Sequence, residues 1–125
     1  MTAALEGILE TALYADDLDA AETFYGGILG LEKITRQANR HVFFRCGPGV
    51  LLIFNPHETV HPPPPHAFPV PVHGATGAGH ACFRVPGPEL DFWVKKLEEA
   101  GITIEADFRW PNGARSIYFR DPAGN

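Results

Sequence analysis

The sequence predicts an α+β fold in which one β-α-β-β-(β) unit is used twice. Three observations predict it. The apolar pattern switches between a period of 2 and a period of 3.6 in the same order in both halves. The breaks recur in register, so that Glu10 is matched by His80 and Gly30-Leu31 by Gly101-Ile102, 70 and 71 positions on. A linker at 56–79, with seven prolines and three glycines, separates the halves.

The elements follow in order. Residues 8–14 (ILETALY) alternate as a strand, and a helix is expected from Asp17 to Leu29. Asp16 or Asp17 can cap its N-terminus, Leu18, Ala21, Tyr25 and Ile28 form its inner face, and Gly30 supplies the left-handed stop. Strands are expected at 31–36, 41–46 and 50–55, the last two joined by Gly47-Pro48-Gly49. The second half opens with a strand at 80–85 (HACFRV). Pro86-Gly87-Pro88 then introduces a helix from Glu89 to Ala100 with Leu90, Val94 and Leu97 inward, and Gly101 ends it. Strands at 102–108 and 115–120 complete the unit around a Trp-Pro-Asn-Gly-Ala turn. The division is therefore a single domain over 1–125: module 1 at 8–56, the linker at 56–79 and module 2 at 80–125.

Composition narrows the function classes. At 125 residues the chain is long enough for one real core and too short for two. Ten Lys and Arg against 15 Asp and Glu give a formal net charge of −5, which repels phosphate backbones and anionic lipid. Neither nucleic acid nor a membrane surface is therefore the expected partner. No apolar run approaches the ~20 residues of a bilayer span, and 1–10 lacks the features of a secretory signal, so the default location is the cytoplasm. Cys46 and Cys82, each within an apolar stretch, read as buried free thiols. Four of the six histidines (His57, His61, His66, His73) lie in the linker. The spacings of four and five between His57, His61 and His66 suggest a metal clip, but Pro-rich chain without a helix reads these histidines as solvated loop residues. The linker also has the length of a lid or of an arm onto a neighbouring subunit. From Thr59 to Phe83 the chain carries no Asp, Glu, Lys or Arg.

Several short pieces occur in a telling order: Leu13-Tyr14-Ala15-Asp16-Asp17-Leu18 leading to Phe24-Tyr25 and Leu29-Gly30-Leu31, then Gly79-His80-Ala81, and last Tyr118-Phe119-Arg120-Asp121-Pro122-Ala123-Gly124-Asn125. On a doubled β-α-β-β-β pattern they resemble the vicinal oxygen chelate superfamily. This group holds glyoxalase I, extradiol ring-cleaving dioxygenases, fosfomycin-resistance thiol transferases and metal-free bleomycin-binding proteins. The resemblance implies that the modules pair into an open, curled mixed sheet, a glyoxalase-like cup with a metal on its concave face. It also implies a homodimer, since the cup closes either within one chain or across a two-fold axis.

Carried over residue by residue, Glu10 stands where the first module's first-strand ligand stands, usually His or Gln, and His80 where the second module's first-strand His stands. Both are therefore expected as metal ligands, with Glu10 also the candidate catalytic proton shuttle. Leu51 or Ile53 occupies the region where glyoxalase I has a fourth-strand Glu. The family's last carboxylate lies three residues past the Asp-Pro-x-Gly-Asn turn, so the third ligand and the last strand are expected beyond Asn125, in a longer protein. Alternation sets Tyr14 on the face of Glu10, and Cys82 and Arg84 on the face of His80, as candidate substrate contacts. Arg84 favours a carboxylate or phosphate. His41, Arg45 and Trp110 are weaker candidates for the same hollow. Oxygen and nitrogen ligation suits Zn, Mn or Fe. One His with carboxylates resembles a Lewis-acid site, and the resemblance so implies a lyase or isomerase whose partner is a small-molecule substrate, oxygenated and chelated through vicinal oxygens. The alternatives are a metal-free small-molecule or drug-binding protein of the bleomycin-resistance type and an extradiol-type dioxygenase.

Overall fold

Strand β1 (Glu10–Tyr14) lies parallel to β4 (Gly49–Phe54), which runs antiparallel to β3 (His41–Cys46), itself antiparallel to β2 (Glu32–Gln37). In this computed structural model, which describes residues 2–125, these strands form a curled four-stranded sheet of order β1-β4-β3-β2. The hairpin between β3 and β4 turns on Gly47, whose φ of +55° a β-carbon would oppose.

One face of the sheet is closed by the helical segment between β1 and β2. Helix α1 (Leu18–Glu22) starts at Asp17, whose carboxylate accepts the Ala20 N–H at 3.0 Å. The chain then widens into a π-type turn over Thr23–Ile28, with Leu29 N–H donating to Phe24 O. Thus the single helix expected over 17–29 changes pitch at Thr23. That pitch accommodates the Gly26-Gly27 pair and sets Gly26 against Phe44, where an added Cβ would meet Cε1 at 3.4 Å. Leu18, Ala21, Phe24 and Tyr25 pack on Leu13, Val42, Phe44, Leu51 and Ile53 to make the core.

The linker opens with structure the composition hid. Asn55 caps a short helix α2 (Pro56–Thr59), accepting the His57 N–H at 3.1 Å. Beyond it, His73 N–H donates to Thr59 O at 3.0 Å, closing the intervening Pro-rich chain into a loop whose Phe68 is exposed.

In the second half a 3₁₀ turn (Gly87–Glu89) leads into α3 (Leu90–Glu99), and β5 (Ala106–Arg109) pairs antiparallel with β6 (Arg115–Tyr118). Leu97 is fully buried and Gly101 terminates the helix with φ +79°. The strand expected at 80–85 is corrected: the segment forms no strand ladder. Its alternation is nonetheless expressed, because Ala81 and Phe83 pack against the core while His80, Cys82 and Arg84 stay exposed. Alternation specifies which side chains are buried, whereas a ladder also needs a neighbouring strand in register. The expected strand 102–108 likewise shortens to β5.

Candidate functional site

The face of the four-stranded sheet away from α1 is built in rows by the strand register. Glu10, Val50 and Arg45 form one row across β1, β4 and β3; Ala12, Leu52 and Phe43 the next; Tyr14, Phe54 and His41 the third. The hollow face therefore grades from a charged end through an apolar middle to an aromatic end. Glu10 is exposed at the charged end, beside exposed Arg45 across the intervening β4 residue.

The aromatic end is covered by the linker. His73 meets Phe54 edge-on with centroids 4.6 Å apart, and its Nδ1 lies 2.7 Å from Tyr14 Oη. His41 stacks on Phe43 at 4.1 Å and receives Arg40 Nη1 on its Nδ1 at 2.7 Å. A guanidinium only donates, so that contact places the lone pair on Nδ1 and the proton on Nε2 of a neutral ring. Burial first, and then the Arg40 charge, hold His41 below the usual imidazole range.

A stability prediction follows. Because the folded protein resists protonating His41, the unfolded state binds more protons as pH falls below the ordinary imidazole range, and folding stability drops with it. Wild type should lose more stability than His41→Gln on going from about pH 8 to about pH 5. Urea unfolding of both proteins across that range measures the difference; parallel losses would rule the effect out.

On the second half, one side of the β5–β6 hairpin carries a run of rings. His80 lies 6.4 Å from Tyr118, Tyr118 stacks at 5.8 Å on Phe108, and Phe108 meets Trp110 at 4.9 Å. Trp110 Nε1–H donates to Ser116 Oγ at 2.9 Å, so this indole is part of the ring series as well as a cover on the turn. The opposite side is polar: Arg115 grips Asp107 through two bonds of 2.8 and 2.7 Å and reaches Asp91 of α3 at 2.6 Å. The Arg115 guanidinium holds the exposed Asp107 carboxyl below the ordinary range.

The halves meet at the C-terminal turn. Buried Asp121 accepts the Tyr25 hydroxyl at 2.6 Å and the N–H groups of Ala123 and Asn125 at 2.9 Å each. Burial and then the Asp121 carboxylate raise the Tyr25 pKa far above that of a free phenol. Asn125 Nδ2 donates to Tyr14 O at 2.9 Å, and its Oδ1 accepts the Gly79 N–H at 2.9 Å.

Of the residues singled out from sequence, Tyr14 is engaged with His73 and His80 neighbours Tyr118, whereas Glu10, Cys82 and Arg84 are exposed. Cys82 Sγ lies 3.8 Å from Phe83 O, and Cys46 and Cys82 are both free thiols, but not buried as expected: Cys46 is half-buried and Cys82 exposed, on the outward side of its segment's alternation. Among the described residues no three His, Cys, Asp or Glu side chains converge on a point that would hold an ion. An open groove of about 540 Å³ lies beside the C-terminal end of β1, lined by Tyr14, Asp16, His57 and Thr76 among others, and neither Glu10 nor His80 borders it. In it Asp16 Oδ1 and His57 Nε2 are 3.2 Å apart. Sequence reasoning missed His73 and Asn125 because their partners are 59 and 111 residues away. Phe54 and the third-row place of His41 were within reach, since pairing 41–46 with 50–55 puts them beside Tyr14.

Among the described residues no helix is long and apolar enough to cross a membrane. Comparison with known proteins agrees with this architecture. The crystal structure of lactoylglutathione lyase from Agrobacterium tumefaciens is 48% identical and superposes with a TM-score of 0.89, covering 98% of this chain and 90% of that one. Metallothiol transferase FosB of Bacillus licheniformis is 26% identical over 120 residues, 95% of this chain and 71% of FosB. The Bacillus subtilis protein named "Putative ring-cleaving dioxygenase MhqE" is 27% identical over 128 residues, 93% of this chain, which spans only 38% of that protein's length. The pattern that defines the Glyoxalase/Bleomycin resistance protein/Dioxygenase superfamily matches residues 7–125, and the chain belongs to that superfamily.

Proposed function

We propose that the protein is a metal-dependent lyase or isomerase of the glyoxalase type, acting on a small substrate that presents two neighbouring oxygens. The observation that carries this reading is the 48% identity, over nearly the whole of both chains, to the A. tumefaciens lactoylglutathione lyase. The name of FosB, a metallothiol transferase, adds support for a metal.

The donor set fits a divalent ion of the Zn, Mn or Fe group in part. Glu10 would offer oxygen and His80 nitrogen, with further protein ligands, water and substrate oxygens completing the set. When bound, such an ion supplies Lewis-acid polarisation of a substrate carbonyl. The other roles belong to side chains. Glu10, exposed and in no ion pair among the described residues, is the base that accepts a proton from the carbon beside that carbonyl. Arg84, also exposed, offers two parallel N–H donors to a substrate carboxylate or phosphate. Tyr14, oriented by His73, marks the aromatic limit of the hollow.

A second reading, a metal-free small-molecule binder of the bleomycin-resistance type, stands beside it because the superfamily matched over residues 7–125 includes bleomycin resistance proteins by name. Isothermal titration of EDTA-stripped protein with Zn²⁺, Mn²⁺ and Fe²⁺ separates the two. The proposal expects one ion bound per chain and binding lost in His80→Ala; no heat from the wild type would sink it and leave the metal-free reading.

A further inference from the structure

We propose that Asn125 is a positioning residue: its amide ties the backbone beside His80 to the end of β1 and so sets where His80 sits against the strand that carries Glu10. The inference rests on the reading of Glu10 and His80 as the donor pair. Asn125 spans the two halves with one planar group, donating through Nδ2 to Tyr14 O and accepting the Gly79 N–H through Oδ1, each at 2.9 Å. The 80–85 segment has no strand ladder to locate it. The Gly79 bond and the packing of Ala81 and Phe83 on the core therefore fix His80 in its place.

The amide is itself held. Its Nδ2 also reaches Asp121 Oδ2 at 2.9 Å, and the Asn125 backbone N–H donates to Asp121 Oδ1 at 2.9 Å. Asp121 is anchored in turn by the Tyr25 hydroxyl at 2.6 Å. The orientation of the amide is determined by its partners, because Gly79 needs an acceptor while Tyr14 O and the carboxylate need donors. Gly79 is matched to this arrangement. A Cβ there would come within 2.9 Å of Asn125 Oδ1 and 3.0 Å of Leu13 Cδ2, so a side chain at 79 must displace the Asn125 amide, the Leu13 side chain or its own segment.

Two measurements on the whole chain test the proposal. In metal-free protein carrying ¹³C-labelled histidine, the His80 ring resonance should move in Asn125→Ala and in Gly79→Ala. It should stay in place in Val42→Ala, which loosens the core without touching this joint. In parallel, a Co²⁺ titration followed by visible absorption should show affinity weakened about 10- to 100-fold in the first two variants. Val42→Ala should keep wild-type affinity below its unfolding transition. A purely structural role would track stability and move neither reading in the folded protein. A His80 resonance that coincides in wild type and Asn125→Ala overturns the proposal whatever Co²⁺ does. A wild type that binds no Co²⁺ overturns the donor-pair reading instead, and the His80 resonance alone then decides the positioning role. Should Asn125→Ala fail to fold, Asn125→Asp carries the same test, since it keeps the acceptor for Gly79 and loses the donor to Tyr14.

Discussion

Replacing Asp121 with Ala should cost about 3 to 5 kcal/mol of folding stability, a large share of what a domain of this size possesses. The carboxylate is 8% exposed and accepts from Tyr25 Oη, the backbone of Ala123 and Asn125, and Asn125 Nδ2. Truncation leaves these donors without their acceptor at the contact between the two halves, where water enters poorly. Tyr25→Phe keeps the ring against Phe24 and Phe44 and removes one charge-assisted bond, so about 1.5 to 3 kcal/mol is expected. Urea unfolding of the two variants gives both values. An Asp121→Ala protein within about 1 kcal/mol of wild type would show that the turn is not a joint at all.

Phe44→Ala should be of similar size, about 3 to 5 kcal/mol, by a different mechanism. Phe44 is 0% exposed at the centre of β3, with Gly26 on one side and the Tyr25 ring 6.0 Å away. The β-sheet beneath and the π-type turn above are both main chain in regular hydrogen bonding, so the cavity collapses only in part. Phe68→Ala is the matched control: the same chemical truncation at a side chain 88% exposed on the linker loop should change stability by no more than about 0.5 kcal/mol. Thermal unfolding of the pair checks the contrast, and equal shifts in both variants would contradict the core described above.

Much of the first half was legible in the sequence because its signals are local. The strand expected at 41–46 is β3 to the residue, and Asp17, Gly30 and Gly47 act as cap, stop and turn as their chemistry requires. The second half was less legible. HACFRV alternates, and the structure honours the alternation in burial, but a ladder depends on which backbone arrives alongside, and the six residues carry no record of that. Helix α2 was hidden because seven prolines dominate the composition of 56–79, while the capping signal rests on Asn55 alone. For the candidate site, Glu10, Tyr14, Cys82, His80 and Arg84 could be singled out because each sits at a recognisable place in a repeat or motif, and of these Tyr14 is the one hydrogen-bonded to the linker through His73. The turn from Asp121 to Asn125 was visible as a motif, but the bonds that His73, Asp121 and Asn125 make to Tyr14 and Tyr25 join residues more than 50 positions apart, which no local pattern encodes.

The bridge made by Asn125 ends on main-chain atoms, the carbonyl of Tyr14 and the amide of Gly79. Side chains at 14 and 80 can therefore be exchanged without breaking that bridge, although exchange of Tyr14 gives up its contact with His73. A scaffold fastened in this way allows the side chains it presents to be rewritten one at a time, and diversification toward new ligands need not begin by repairing the architecture.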